Sequence, residues 1–111
     1  MVRVVHAAFS NMIYVLWEFT VSPEHRAAFE IAYKSDGLWA HLFRQDSSYR
    51  ETILIRDQEQ AGRYLTVDVW EDRDSYLSFK DQFADQYSKI DKECEKLTAG
   101  EQLIGIFEQI P

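Results

Sequence analysis

Apolar residues in this chain recur at two different periods, and the switches between them divide it into elements. From Ile13 to Thr20, the residues Ile13, Val15, Trp17 and Phe19 alternate with Tyr14, Leu16, Glu18 and Thr20. In a strand the first set makes one wholly apolar face and the second a mixed one. The same period returns at Tyr49 to Arg56, with Ile53 and Ile55 opposite Thr52 and Leu54. It returns again at Arg63 to Trp70, where Tyr64, Thr66, Asp68 and Trp70 stand opposite Leu65, Val67 and Val69. A fourth strand is predicted over Gln102 to Gln109, with Leu103, Gly105 and Phe107 on one face and Ile104, Ile106 and Glu108 on the other.

Between the first two strands the period changes. Ser22-Pro23-Glu24 is a helix start, because Ser22 can cap a free N–H, Pro23 suits the first helical position and Glu24 favours the positive end of the dipole. The helix presents Phe29, Ala32 and Tyr33. Gly37 reads as a left-handed cap, and Leu38, Trp39, Leu42 and Phe43 then define a short apolar helix. After Trp70, with Asp72 or Asp74 as the cap, Tyr76, Phe79, Phe83, Tyr87, Ile90, Cys94 and Leu97 follow at spacings of three or four. That stripe predicts a single long helix ended by Gly100.

The resulting order is that of an α+β, ferredoxin-like split βαββαβ domain: a four-stranded antiparallel sheet with its helices on one face. The polar stretch Asp57 to Gly62 makes the two middle strands a hairpin. One domain is expected over residues 12–111, preceded by an arm, residues 1–11, that shows no clear period. The uncovered sheet face still carries apolar side chains, so a homodimer stacked through that open face is expected.

Composition narrows the function. A net charge of −7 with no basic cluster argues against nucleic-acid and anionic-membrane partners. One cysteine excludes an intrachain disulfide and a Cys-based metal cluster, and suits a cytoplasmic setting. No apolar run approaches the ~20 residues of a membrane span. No pair of histidines has a helical ligand spacing and no glycine-rich phosphate loop occurs, so neither a metal nor a cofactor is expected. An aromatic share of 14% exceeds what a small core demands and leaves rings for a cavity or an interface.

Two blocks carry a family resemblance. Gly37-Leu-Trp39-Ala-His-Leu-Phe43, continuing to Tyr49, and Asp68-Val-Trp70-Glu-Asp followed by a helix with Tyr76 and Phe79, resemble the antibiotic biosynthesis monooxygenase (ABM) domain family. The resemblance spans roughly Met12 to Gln109 and implies a dimeric α/β barrel. It also implies a pocket between sheet and helices, with the Trp at the end of the third strand, here Trp70, in its wall. Members include cofactor-independent oxygenases of polyketide or quinol-like aromatics, haem-degrading proteins, and proteins of no known reaction. The haem-degrading members resemble one another in an Asn on the first strand, about where this chain has Trp17, and a His on the second long helix, where it has Lys80. Neither group is present, which argues against haem chemistry of that kind. Ser48 replaces a Gly common before the second strand.

The candidate residues follow from these readings. Trp70, Trp39 and Tyr64 are candidate substrate-binding walls, with a purely structural Trp70 as the alternative. Asp68 shares the Trp70 strand face and is a candidate general base if buried, or else a solvated or Arg-paired carboxylate, with Arg50, Arg56 and Arg63 as the available partners. His41 is a second candidate base by its intrinsic pKa, or an exposed helical histidine. Cys94 lies on an apolar stripe and reads as core. The function these suggest is a cofactor-free monooxygenase-like protein acting on a small planar phenolic or quinol-like compound. A non-catalytic dimeric small-molecule-binding or structural module of the same fold is the alternative.

Overall fold

The computed structural model describes residues 12–111; the arm expected over residues 1–11 lies outside them. Four strands, β1 (Ile13–Thr20), β2 (Tyr49–Arg56), β3 (Arg63–Trp70) and β4 (Gly100–Glu108), form an antiparallel sheet in the order β2-β3-β1-β4. The helices α1 (Arg26–Tyr33), α2 (Leu38–Phe43), α3 (Arg73–Gln82) and α4 (Ala84–Cys94) connect them, with single 3-10 turns at Pro23–His25 and Glu95–Leu97. This is the split βαββαβ arrangement, with the core between one sheet face and the helices.

The register sets which side chains meet there. Ile13 pairs with Trp70, Val15 with Asp68, Trp17 with Thr66 and Phe19 with Tyr64, so the apolar face of β1 and the Trp70 face of β3 point the same way. Rings continue from strand to helix. Phe29 stacks on Tyr33 at 4.2 Å, and Trp70 meets Phe43, Tyr49, Tyr76 and Phe79 at centroid distances of 5.0–5.5 Å. Offset and edge-on geometries of this kind add to the burial energy of each ring.

Several expectations are corrected. The dimeric α/β barrel implied by the resemblance is not what the chain forms. Its sheet is open, with β2 and β4 at opposite margins, each paired on one side only. Four strands in that order bring no edge to an edge, so the sheet cannot close on itself. The long helix after Trp70 is two, joined at Phe83, whose φ of −107° and ψ of 25° depart from helical values. The helical hydrogen bonds Phe83 N–H to Phe79 O and Tyr87 N–H to Phe83 O run straight through the joint, which is why the apolar stripe keeps its period.

Gly37 is not left-handed either: its φ is −85°. It is needed for space, since a Cβ there would lie 2.6 Å from the carbonyl oxygens of Ile31 and Ala32. The left-handed glycine is Gly62, at φ 85°, in the β2–β3 hairpin. Asp72, not Asp74, caps α3, its Oδ1 accepting the Ser75 N–H at 2.7 Å. Ser22 occupies its cap position without a side-chain hydrogen bond.

Two bulges break the alternation the sequence suggests. In β4, Leu16 pairs with Gly105 and Trp17 with Leu103, leaving Ile104 as the extra residue. Leu103 and Ile106 therefore share the helix-side face, and the expected grouping of Leu103 with Gly105 and Phe107 fails. In β2, Tyr49 pairs with Trp70 and Glu51 with Val69, so Arg50 is extra.

Candidate functional site

The Arg50 bulge creates the most distinctive polar arrangement in the core. Tyr49 and Thr52, three apart, would face opposite sides of a regular strand; the extra residue puts both on the helix side. The Tyr49 hydroxyl donates to Thr52 Oγ1 at 2.8 Å, and the Thr52 hydroxyl donates to Asp68 Oδ1 at 2.7 Å, across the Thr52–Asp68 register pair. All three side chains are buried. Asp68 Oδ2 has no hydrogen-bond partner among the described residues.

Among the described residues Asp68 is therefore a carboxylate taken out of water with one neutral hydrogen bond and no cation. Burial pushes its pKa from 3.8 up to about 7, the Thr52 hydrogen bond only partly opposing the rise. Arg50 pairs with Glu71 at 2.5 Å, Arg56 with Glu30 at 3.3 Å, and Arg63 with Glu18 and Asp57 at 2.5 and 3.0 Å. None of these three arginines, the partners available to Asp68 in the sequence, pairs with it.

Asp68 borders a cavity of about 40 Å³ between sheet and helices, walled by Trp17, Trp39, Phe43, Thr66 and Tyr87. That is room for one or a few water-sized groups, far below the ~300 Å³ at which drug-sized pockets begin. Trp17 and Tyr87 are half-buried, so the wall toward solvent is the adjustable one. The Trp39 Nε1–H is buried and unpaired. The neighbouring phenols are held protonated: burial pushes Tyr76 up to about 12 and raises Tyr33 and Tyr87 further. A larger groove of about 450 Å³ runs between Asp72 and Phe107, and its polar side chains are exposed or half-exposed.

The candidates from sequence separate in space. Asp68 and Trp39 share the cavity. Trp70 is fully buried behind it, edge-on to Phe43 and Tyr49, with its own Nε1–H unpaired. Tyr64 lies at the other end of β3, its hydroxyl donating to Glu30 Oε2 at 2.6 Å. His41 is exposed on α2. Sequence reasoning missed Thr52 and Tyr49 as partners of Asp68, because the only signal, a hydroxyl opposite a carboxylate, appears once the bulge is known. Trp17 stands in the sequence as a strand residue, and nothing there sets apart Asp91 and Glu101, which also line the cavity.

An open four-stranded antiparallel sheet with helices over one face, and a small aromatic-walled cavity between the layers, places the chain among ferredoxin-like α+β proteins. The family model described as antibiotic biosynthesis monooxygenase matches residues 12–84, and the chain belongs to that family. The fold is similar to that of SnoaB, a cofactor-independent oxygenase from Streptomyces nogalater, at TM-score 0.69 and 17% identity over 92% of this chain and 96% of that one. A candidate antibiotic biosynthesis monooxygenase from Bordetella bronchiseptica gives TM-score 0.70 and 24% identity over 91% and 99%. One from Caulobacter crescentus gives 0.75 and 17% over 98% and 99%. A search of curated proteins finds no match. Among the described residues no helix is long and apolar enough to cross a membrane, and no three His, Cys, Asp or Glu side chains converge as metal ligands would.

Proposed function

We propose that this protein is a cofactor-free, monooxygenase-like oxidoreductase for a small hydroxylated aromatic, with Asp68 as the general base. The observation that carries this reading is a buried carboxylate whose pKa lies near neutrality, oriented by Thr52, with one oxygen unpaired beside an aromatic cavity. A base of that pKa is well matched to taking a substrate proton at pH 7. The substrate anion then supplies the electrons for dioxygen. Carbon keeps one oxygen atom, the other leaves as water, and the substrate becomes a quinone, with no external reductant. Trp39 and Tyr87 wall the ring, and Trp70 supports them from behind.

Oxygen uptake on a panel of hydroquinones and anthrone-like phenols tests the proposal. Asp68→Asn should lower turnover by roughly 10²-fold or more, the range of a lost general base. Trp39→Phe should act mainly on KM, and His41→Ala should change neither constant. Turnover unaffected by Asp68→Asn would refute the assignment. The small size of the cavity supports a second reading, a non-catalytic binding module; saturable ligand binding without oxygen uptake would favour it. We place the protein in the cytoplasm on its single buried thiol, Cys94, and pair it with a second copy through the open sheet face.

A further inference from the structure

Tyr49 is a buried phenol that the proposed reaction leaves without a task. Its ring is held between Phe43 and Trp70, at centroid distances of 5.5 and 5.3 Å. That seat and the Arg50 bulge aim its hydroxyl at Thr52 Oγ1, 2.8 Å away, and it has no other hydrogen-bond partner among the described residues. Burial raises the phenol above its usual pKa, the Thr52 bond only partly opposing the rise, so Tyr49 keeps its proton at neutral pH.

One proton per hydroxyl then decides the direction of the whole chain. An ionised Asp68 can only accept, so Thr52 spends its single proton on Asp68 Oδ1 at 2.7 Å, and Thr52 Oγ1 accepts from Tyr49. The opposite direction would need a proton on Oδ1, donated to Thr52, with Thr52 donating in turn to the Tyr49 oxygen. The Tyr49 O–H would then lose its one acceptor and stand as a buried, unpaired donor, which is costly. The chain therefore keeps its direction when Asp68 takes up a proton. Oδ1 remains an acceptor, and the proton goes to Oδ2, which has no partner among the described residues and belongs to a side chain that lines the cavity.

We propose that Tyr49 is a positioning residue that acts through Thr52: it fixes the direction of the chain and so confines the proton that Asp68 exchanges to the cavity-side oxygen, Oδ2. Its use in turnover rests on the proposed role of Asp68 as base; the proton's place on the carboxyl does not. Bonds in a chain also strengthen one another, so the Tyr49 bond makes Thr52 a better donor to the carboxylate. The other titrating groups near Asp68 are Tyr76 of α3, Tyr87 and Asp91 of α4 and Glu101 of β4, while Arg44, just after α2, and Glu51 of β2 act on Tyr49. None of these six makes a hydrogen bond to Thr52 or Asp68 among the described residues.

Tyr49→Phe keeps the ring in its seat and removes only the hydroxyl. Thr52 then loses its incoming bond and can turn to accept from a protonated Oδ1, and both changes favour the neutral acid. The Asp68 titration, followed by carboxyl NMR, should move up by roughly half a pH unit. In oxygen uptake on one hydroquinone, kcat/KM should fall about threefold at pH 6 and match wild type at pH 9, the loss falling on kcat. Thr52→Ser, which keeps the hydroxyl, should titrate as wild type does. In a Thr52→Val background Tyr49→Phe should add no further shift, because the chain is already cut. An Asp68 titration unmoved by Tyr49→Phe, or shifts that add in the double variant, would overturn the proposal whether or not the protein turns over. A loss of kcat/KM by the same factor at every pH would mark Tyr49 as structural only and overturn it too. A moved titration with no oxygen uptake at any pH would count against the oxygenase reading alone.

Discussion

At the scale of single residues, the protein's unusual feature is Asp68, and it makes stability depend on pH in a defined direction. Its folded pKa of about 7 lies above its ordinary 3.8, so between those values the folded chain binds more protons than the unfolded one. Its contribution is fully present below about pH 4, falls as pH rises through 7 and is flat beyond, on the order of a few kcal/mol in all. Asp57 is shifted the opposite way, by the Glu59 and Gln60 backbone N–H groups, so the test is a difference. Wild type minus Asp68→Asn, in urea titrations at pH 5 and pH 8, should show the variant gaining relative stability at the higher pH. Parallel curves would mean that Asp68 ionises freely. Thr52→Val removes the one hydrogen bond among the described residues that favours the charged form, so the Asp68 titration, followed by carboxyl NMR, should move further up. The titrating and charged groups around Asp68 are Tyr49 on β2, Tyr76 on α3, Tyr87 and Asp91 on α4 and Glu101 on β4; all can lose protons and none carries positive charge. The sequence shows Asp68 on the Trp70 face of a strand, and from that its role as a candidate. Its isolation from Arg50, Arg56 and Arg63 depends on which acids those arginines find first, and no one-dimensional pattern contains that.

At the scale of elements, two helix starts that look alike in sequence differ in what their caps do. Asp72 accepts a backbone N–H and the Ser75 hydroxyl, at 2.7 and 3.1 Å, whereas Ser22 makes no cap bond. Asp72→Ala should cost about 1 kcal/mol, and Ser22→Ala a few tenths at most, read as the shift in thermal or urea midpoint. Equal losses would mean that the caps are interchangeable. The four strands, the hairpin and the covered face were legible because β1 and β3 are regular enough for alternation to report their faces. Legibility failed at the bulges: nothing in Tyr49-Arg50-Glu51 or Leu103-Ile104-Gly105 marks an extra residue. A bulge is a property of two strands in register, so the Tyr49–Thr52–Asp68 chain that depends on one was hidden too. The joint at Phe83 was hidden for a related reason. Gln82-Phe83-Ala84 contains no breaker, and Phe83 stacks on Phe79 at 4.8 Å as a continuous helix would also allow.

At the scale of the whole molecule, the sheet has a covered face and a bare one. On the bare face Ile53 and Ile55 of β2 and Phe107 of β4 are 41–48% exposed, flanking half-buried Leu16, Leu65 and Val67 on the central strands. Exposed apolar side chains scattered singly are ordinary, but a row crossing every strand of a sheet is a surface that water covers poorly. A net charge of −7 keeps copies of the chain apart at long range, so association has to come from close apolar contact on a patch lacking repulsion. On the bare face Glu18 of the central strand β1 is neutralised by Arg63, and Glu51 lies toward the β2 margin. A two-fold contact through this face is self-complementary and closes at two copies. Sedimentation at micromolar concentration should therefore give twice the mass of the chain. Ile53→Glu combined with Phe107→Glu should return the single mass with far-UV circular dichroism unchanged, because neither side chain enters the core. The Asp68 cavity lies on the other side of the sheet, so the paired substitutions should leave ligand binding there unchanged. A wild-type monomer at that concentration would remove the dimer and leave the cavity chemistry standing.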